Sequence, residues 1–242
     1  MSKIIIANWK MKLSVKESLS LAEKFSLGLN TKNQVVICPD FISLSLISFL
    51  KTKKTFFLGA QDSATLAKNS LTGEVSAFNL KELGVSYVIL GHSERRLYQK
   101  EDDKMINEKI KVALEAGLKV VLCLGDNKQE YQAKKTKAVI KSQLSNALKG
   151  LKLKKDSEII IAYEPVWAIG SGMAMGAEEA NEIAEFIKTN AKKFIEKPLK
   201  VLYGGSVDKN NAHLFLKQKN LQGLLVGGAS LKAEEFLSIC NN

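Results

Sequence analysis

Glu164 closes an apolar run, Ile159-Ile160-Ile161-Ala162-Tyr163, and is followed at once by Pro165. A run of that kind reads as a buried strand, which delivers the carboxylate at its C-terminal end. The proline biases Glu164 away from the helical region and stiffens the chain where it leaves the strand. Beyond it lies a mostly apolar stretch containing Trp167, closed by Gly170-Ser171-Gly172. A carboxylate at a strand end, under an apolar flap with glycine at its tip, suits a general base in a site that sheds water. The residue types alone also allow an ordinary loop with a solvated glutamate.

Other polar residues sit where apolar runs end: Asn8 and Lys10, Gln61, His92, Gly204-Gly205-Ser206 and Gly227-Gly228. His92 lies in Gly91-His92-Ser93-Glu94-Arg95-Arg96, between a strand and a stretch that can begin a helix. A helix N-terminus disfavours an imidazolium, so a neutral ring donating one N–H is expected there. Lys10 supplies a cation. Paired glycines let backbone N–H groups approach an anion closely, which makes Gly204-Gly205-Ser206 and Gly227-Gly228 candidate phosphate binders, with Gly170-Ser171-Gly172 adding an N–H from the flap. The spacing Gly170-x-Gly172-x-x-x-Gly176 has one residue too many for a dinucleotide fingerprint. A base, a neutral donor and a cation around a phosphate-gripping floor suit proton abstraction beside a carbonyl, which moves only protons and needs no metal or cofactor. Taken singly, each residue has a bland reading: a cap, a surface lysine, a core histidine, two turns.

Positioning such residues together requires a particular scaffold. Eight short apolar runs are expected as strands: Lys3–Asn8, Val35–Pro39, Phe56–Gln61, Tyr87–Gly91, Lys119–Leu124, Glu158–Tyr163, Lys200–Tyr203 and Gly223–Val226. They are continuous rather than alternating, as in parallel sheets buried on both faces. Helical patterns follow them, among them Val15–Leu29, Asp103–Ala116, Tyr131–Leu148, Ala177–Lys193 and Lys232–Ile239. Eight βα units favour a closed (β/α)8 barrel over an open sheet, and residues 1–242 read as one domain. In a barrel the strand ends share one face, so the candidate residues converge on one cup. The segment Asp62–Ser76 has no helical period, and a loop that long inside a compact domain is usually functional.

The chain has 242 residues, 45% of them hydrophobic, enough for a substantial core. No run approaches the roughly 18 apolar residues of a membrane span, and the N-terminal apolar patch is too short for a signal peptide. Cys38, Cys123 and Cys240 are widely spaced without a Cys-x-x-Cys pair, which argues against a disulfide framework or zinc site and for the cytosol. The net charge of +11 invites a nucleic-acid reading. Its lysine runs interleave no aromatics, however, and Lys134, Lys137 and Lys141 are spaced as one solvated helix face, so no nucleic-acid partner is expected.

Five motifs together resemble the triosephosphate isomerase family: Asn8-Trp9-Lys10-Met11, Gly91-His92-Ser93-Glu94-Arg95-Arg96, Ala162 to Gly170, Tyr203-Gly204-Gly205-Ser206-Val207 and Leu225-Val226-Gly227-Gly228-Ala229-Ser230-Leu231. They cover the whole chain in order. The resemblance implies a TIM barrel that interconverts dihydroxyacetone phosphate and glyceraldehyde 3-phosphate in glycolysis and gluconeogenesis. It implies Glu164 as the base, His92 as the neutral electrophile and Lys10 as the cation. Asn8, Gly170, Ser206, Gly227 and Gly228 would contact the substrate, and Glu94 would orient Lys10. It also implies a homodimer whose 62–76 loop reaches the partner, with Thr72 and Glu74 near the partner's site. The sequence departs from the family at Lys12, Leu71, Asp126 and Met173-Ala174-Met175-Gly176, positions that bear on the lid and the dimer contact rather than on the acid–base pair. A sugar-phosphate epimerase would use paired aspartates and metal-binding histidines at strand ends, which the sequence lacks. A non-catalytic phosphate binder would have lost at least one of Lys10, His92 and Glu164.

Overall fold

A computed structural model describes residues 2–50, 55–67, 71–170 and 174–241. In chain order it contains β1 (Ile4–Asn8), α1 (Val15–Gly28), β2 (Gln34–Cys38), α2 (Phe41–Ser48), β3 (Phe57–Ala60), α3 (Ala77–Glu82), β4 (Tyr87–Leu90), α4 (Ser93–Tyr98), α5 (Asp103–Glu115), β5 (Lys119–Leu124), α6 (Lys128–Gln132), α7 (Thr136–Ala147), β6 (Ile159–Tyr163), α8 (Ala177–Ala191), β7 (Lys200–Tyr203), α9 (Ala212–Leu216), β8 (Gly223–Val226) and α10 (Ala233–Asn241). Every strand pairs in parallel with its neighbours in sequence order, and β1 pairs with both β2 and β8, so the sheet closes. This is the eight-stranded TIM barrel that the strand pattern implied. At the seam, Ile4 lies opposite Gly223. A Cβ at Gly223 would come within 1.8 Å of the Ile4 carbonyl oxygen, so only glycine allows the seam to close this tightly.

The continuous apolar runs follow from burial on both faces. Alternate residues such as Ile4, Ile6, Ile89, Val121 and Ile160 fill the barrel interior. Their neighbours Ile5, Ala7, Val88, Val120 and Ile161 face the helical layer, where they meet residues such as Phe25, Ile110, Ile187 and Phe236. Several helices begin at side-chain caps: Ser14 and Glu17 form a capping box at α1, Asp40 caps α2 through two backbone N–H groups, and Asn127 with Glu130 boxes α6.

One helix expectation is corrected. The stretch Tyr131–Leu148 is not continuous: α6 ends at Gln132 and α7 begins at Thr136. Lys134 between them has φ +56°, which breaks the helical path. Lys134 therefore does not share a helix face with Lys137 and Lys141, which lie on α7.

The segment from Asp62 to Ser76 forms neither helix nor strand among its described residues. Its ends are tied by the Ala64 N–H donating to the Val75 carbonyl at 2.9 Å. Asp62, at its base, lies in a buried ionic cluster: Lys109 Nζ reaches Asp62 at 2.7 Å and Glu101 at 2.5 Å, and Arg95 reaches the same two carboxylates at 2.8 and 2.7 Å. Burial pushes the Asp62 carboxyl above its ordinary range, against the opposing pull of Lys109. Leu66 and Leu71 remain 41% and 42% exposed, while Ala67 packs partly against the core.

Candidate active site

All eight candidate residues line one cavity of about 290 Å³ at the C-terminal ends of the strands: Asn8, Lys10, His92, Glu164, Gly170, Ser206, Gly227 and Gly228. The sequence placed them on five strand ends and one flap. Closure of the barrel brings them to a single cup, because parallel strands all finish on the same face.

Lys10 stands just after β1 in the left-handed region, φ +52°, where a branched or bulky residue is strained. Two side chains hold it there: its N–H donates to Asn8 Oδ1 at 3.1 Å, and its carbonyl accepts from Gln61 Nε2 at 2.8 Å. Its ammonium donates to Glu94 Oε1 at 2.5 Å. Asn8, Gln61 and Glu94 thus fix the backbone and the head of one cation.

His92 is buried and caps α4, its Nδ1 accepting from the Glu94 N–H at 3.2 Å. An Nδ1 that accepts carries no proton, so the ring's hydrogen is on Nε2, which faces the cavity as a donor. Nε2 stands 3.3 Å from Glu164 Oε1.

Glu164 is buried to 1% exposure at the end of β6. Its Oε2 accepts from the Ser93 N–H at 3.0 Å, while Oε1 has no aligned hydrogen-bond donor. A buried carboxylate oxygen without a donor carries a desolvation cost and is left free to accept. Beneath it lies Cys123, whose thiol is pushed well up, first by burial and then by the Glu164 charge, so it stays protonated beside the carboxylate.

The flap is fastened at both described limbs. The Val166 N–H donates to the Asp126 carbonyl at 3.0 Å, and Ser206 Oγ donates to the Ala168 carbonyl at 2.5 Å. At the far limb the Met175 N–H donates to the Tyr203 hydroxyl at 3.1 Å, and burial pushes that hydroxyl up to about 12. Ile169 and Gly170 stand over the cavity. Ser171, Gly172 and Met173 lie outside the described residues.

Gly204-Gly205-Ser206 and Gly227-Gly228 also line the cavity, with Gly204 directly against the Glu164 side chain. Gly228 opens a 3-10 turn, Gly228–Leu231, and the side of the cavity beyond it is lined by Asp208, Asn211, Lys232 and Glu235. Among the described residues no cluster of three or more histidine, cysteine or carboxylate side chains is placed to hold a metal ion.

The model of the triosephosphate isomerase family matches residues 3–242. The chain belongs to the triosephosphate isomerase family. It is 44% identical to a protein named triosephosphate isomerase from Dehalococcoides mccartyi, over 99% of this chain and 96% of that one. It is 42% identical to the protein of that name from Dictyoglomus thermophilum, over 98% of each chain. The Mycoplasmoides gallisepticum protein of the same name is 40% identical, over 99% of this chain and 97% of that one. All of these relatives carry the name of an isomerase, and membership of their family explains why five short motifs, each weak alone, recur together along this chain.

Sequence reasoning missed several residues of the cup. Ser93 meets Glu164 through its backbone N–H, which no side chain announces. Cys123 sits beneath Glu164 only because β5 and β6 are neighbours, with Cys123 opposite Ala162 in the ladder. Asp208, Asn211, Lys232 and Glu235 follow strand ends by several residues and offered no spacing that set them apart from solvated surface. Conversely, the Lys10–Glu94 contact expected from the resemblance is present at 2.5 Å.

Proposed function

We propose that this chain interconverts dihydroxyacetone phosphate and glyceraldehyde 3-phosphate, using Glu164 as the base and His92 as the electrophile. The observation that carries this reading is the convergence, in one cavity, of a buried carboxylate oxygen without a donor and an imidazole Nε2–H 3.3 Å from it.

The substrate lies with its phosphate on the backbone N–H groups around Ser206, Gly227, Gly228 and Gly170. Its carbonyl faces His92 Nε2 and the Lys10 ammonium, and Asn8 adds a polar contact. Glu164 takes a proton from the carbon next to the carbonyl. The electrons of that C–H bond form a carbon–carbon double bond, and the carbonyl π pair moves onto oxygen, where His92 Nε2–H and Lys10 stabilise it. The hydroxyl proton of the second oxygen passes by way of His92 to the first, and Glu164 returns its proton to the neighbouring carbon as the second oxygen becomes the carbonyl and the first a hydroxyl. Atoms and electrons balance without an added cofactor or metal. The pair Lys10–Glu94 keeps the cation from wandering, so the field at the oxyanion is set before the substrate arrives.

The same reading places the chain in glycolysis and gluconeogenesis, in the cytoplasm, as one barrel domain over residues 1–242. It takes small triose phosphates and neither nucleic acid nor membrane as partners; among the described residues no helix is long and apolar enough to cross a membrane. Assembly as a homodimer through the 62–76 loop is supported by the exposure of Leu66 and Leu71 on a loop whose base is held by a buried ionic cluster. Thr72 and Glu74, both exposed, would then stand near the partner's cup.

A coupled assay of triose-phosphate interconversion with a chelator present tests the reading. Full activity in chelator is expected. Activity that collapses there and returns with a divalent cation would overturn it in favour of a metal-dependent epimerase.

A further inference from the structure

Tyr131 stands at the foot of the flap in a position that neither the motifs nor the proposed chemistry uses. It lies on α6, whose start is locked by the reciprocal Asn127–Glu130 capping box. Its ring stacks on the indole of Trp167, with centroids 4.3 Å apart and planes 30° from parallel. Its hydroxyl lies 3.4 Å from Glu179 Oε2, a long contact, in the first turn of α8. That helix begins two residues after Met175, where the far limb of the flap is fastened to Tyr203. Tyr131 therefore sits between the two limbs.

Trp167 has no polar tether of its own. Its Nε1 is buried and lacks a hydrogen-bond partner among the described residues. The carboxylate of Asp126, whose backbone carbonyl accepts from the Val166 N–H, is already occupied, with Oδ1 accepting from the Tyr163 hydroxyl at 3.0 Å and Oδ2 from the Thr136 hydroxyl at 2.7 Å. An indole whose N–H is not engaged is oriented by packing alone, and a stacked ring is the directional part of that packing. Two and three residues further on, Ile169 and Gly170 line the cavity. Trp167 lies within the 3-10 turn Val166–Ala168, which the Ile169 N–H closes by donating to the Val166 carbonyl at 3.2 Å, so the seat of the indole and the placement of Ile169 share one turn.

We propose that Tyr131 is a positioning residue: its ring fixes the orientation of Trp167 and so holds Ile169 and Gly170 over the substrate phosphate. The kinetic consequence rests on the isomerase reading; the geometric one does not. Without the stack, the flap populates its substrate-ready position less often, and apparent affinity falls by that fraction while the chemistry of the bound complex is unchanged.

The test compares Tyr131→Leu, which removes the stack, with Tyr131→Phe, which keeps the ring and removes only the hydroxyl. Tyr131→Leu is expected to raise KM roughly 2- to 10-fold, the factor to which an aromatic pair's extra stabilisation corresponds, with kcat within about twofold of wild type. Trp167 emission should shift to longer wavelength and become more open to acrylamide quenching. Trp9, the other indole of the chain, is enclosed in the core at 1% exposure and contributes a constant background. Tyr131→Phe should match wild type in both readouts. Binding of inorganic phosphate, followed by the same emission, gives the affinity contrast without turnover, so failure of the isomerase reading leaves this comparison decisive. A folded Tyr131→Leu protein with wild-type KM, phosphate affinity and emission would overturn the proposal, even if its melting midpoint fell. So would a Tyr131→Phe protein impaired as much as Tyr131→Leu.

Discussion

Gly204→Ala presses on the proposed base, Glu164, without removing a polar group. Gly204 lies directly after β7, and its backbone is not in the left-handed region, so alanine is conformationally tolerated. The new methyl would sit 3.0 Å from Glu164 Cγ and 3.3 Å from the Tyr163 carbonyl oxygen. The carbonyl belongs to the ladder and also accepts the Gly204 N–H at 2.8 Å, so it cannot retreat. The Glu164 side chain must therefore give way by a few tenths of an ångström. A misplacement of about 1 Å costs roughly 10²-fold, so a shift of about 0.3–0.5 Å costs roughly 4- to 10-fold in kcat. KM should change little, because the phosphate floor keeps its N–H groups. Gly228→Ala is the matched control: among the described residues nothing lies within 4 Å of its Cβ, so Glu164 is not pushed, and the methyl instead intrudes on the proposed phosphate site. That variant should raise KM and spare kcat. Steady-state coupled kinetics separate the two patterns, with melting midpoints measured alongside. A well-folded Gly204→Ala enzyme with unchanged kcat would refute the placement of Glu164 as the base at this wall.

Glu164→Asp withdraws the carboxylate by about 1 Å and should lower kcat by about 10²-fold with little change in KM, measured by the same assay. His92→Gln removes a preorganised donor to the oxyanion and should cost about 2.7–4 kcal/mol in activation free energy, read as the drop in kcat/KM. Glu158 is half-buried between Lys200 and Lys119; burial opposes its charge, but the two ammonium groups outweigh it and hold its carboxyl below the usual range. A depressed folded pKa stabilises the protein above the unfolded value of about 4.3, and that stability is lost as pH falls through the lower folded value. Glu158→Gln should therefore destabilise at pH 7, with the difference from wild type shrinking below about pH 4 in urea titrations. Shortening the 62–76 loop should give folded monomers of impaired activity; light scattering across a dilution series that finds a fully active wild-type monomer at every concentration would dispose of the dimer.

The barrel was legible because burial on both strand faces leaves a mark that survives in one dimension: eight continuous apolar runs, all of which form strands. The break between α6 and α7 was not, since Lys134 adopts its positive φ with no glycine or asparagine to signal it. The cup was legible wherever a chemically marked residue closed a strand, as with Glu164, His92 and the glycine pairs. It was not where a contact is made by a backbone group, as at the Ser93 N–H, or by a side chain brought in from another element, as with Tyr131 against Trp167. Those contacts depend on how neighbouring strands and loops pack, which a linear pattern does not record.

The claim at the centre of this account is that Glu164 moves the hydrogen as a proton. Isomerisation of dihydroxyacetone phosphate in D2O, followed by proton NMR, tests it most directly. A carboxylate that takes a proton exposes it to solvent exchange, so deuterium should appear at C2 of the glyceraldehyde 3-phosphate formed, and Glu164→Gln should abolish both exchange and isomerisation. Product that retains the substrate's hydrogen in full, as a direct hydride shift would deliver it, or undiminished exchange in Glu164→Gln, would contradict the account.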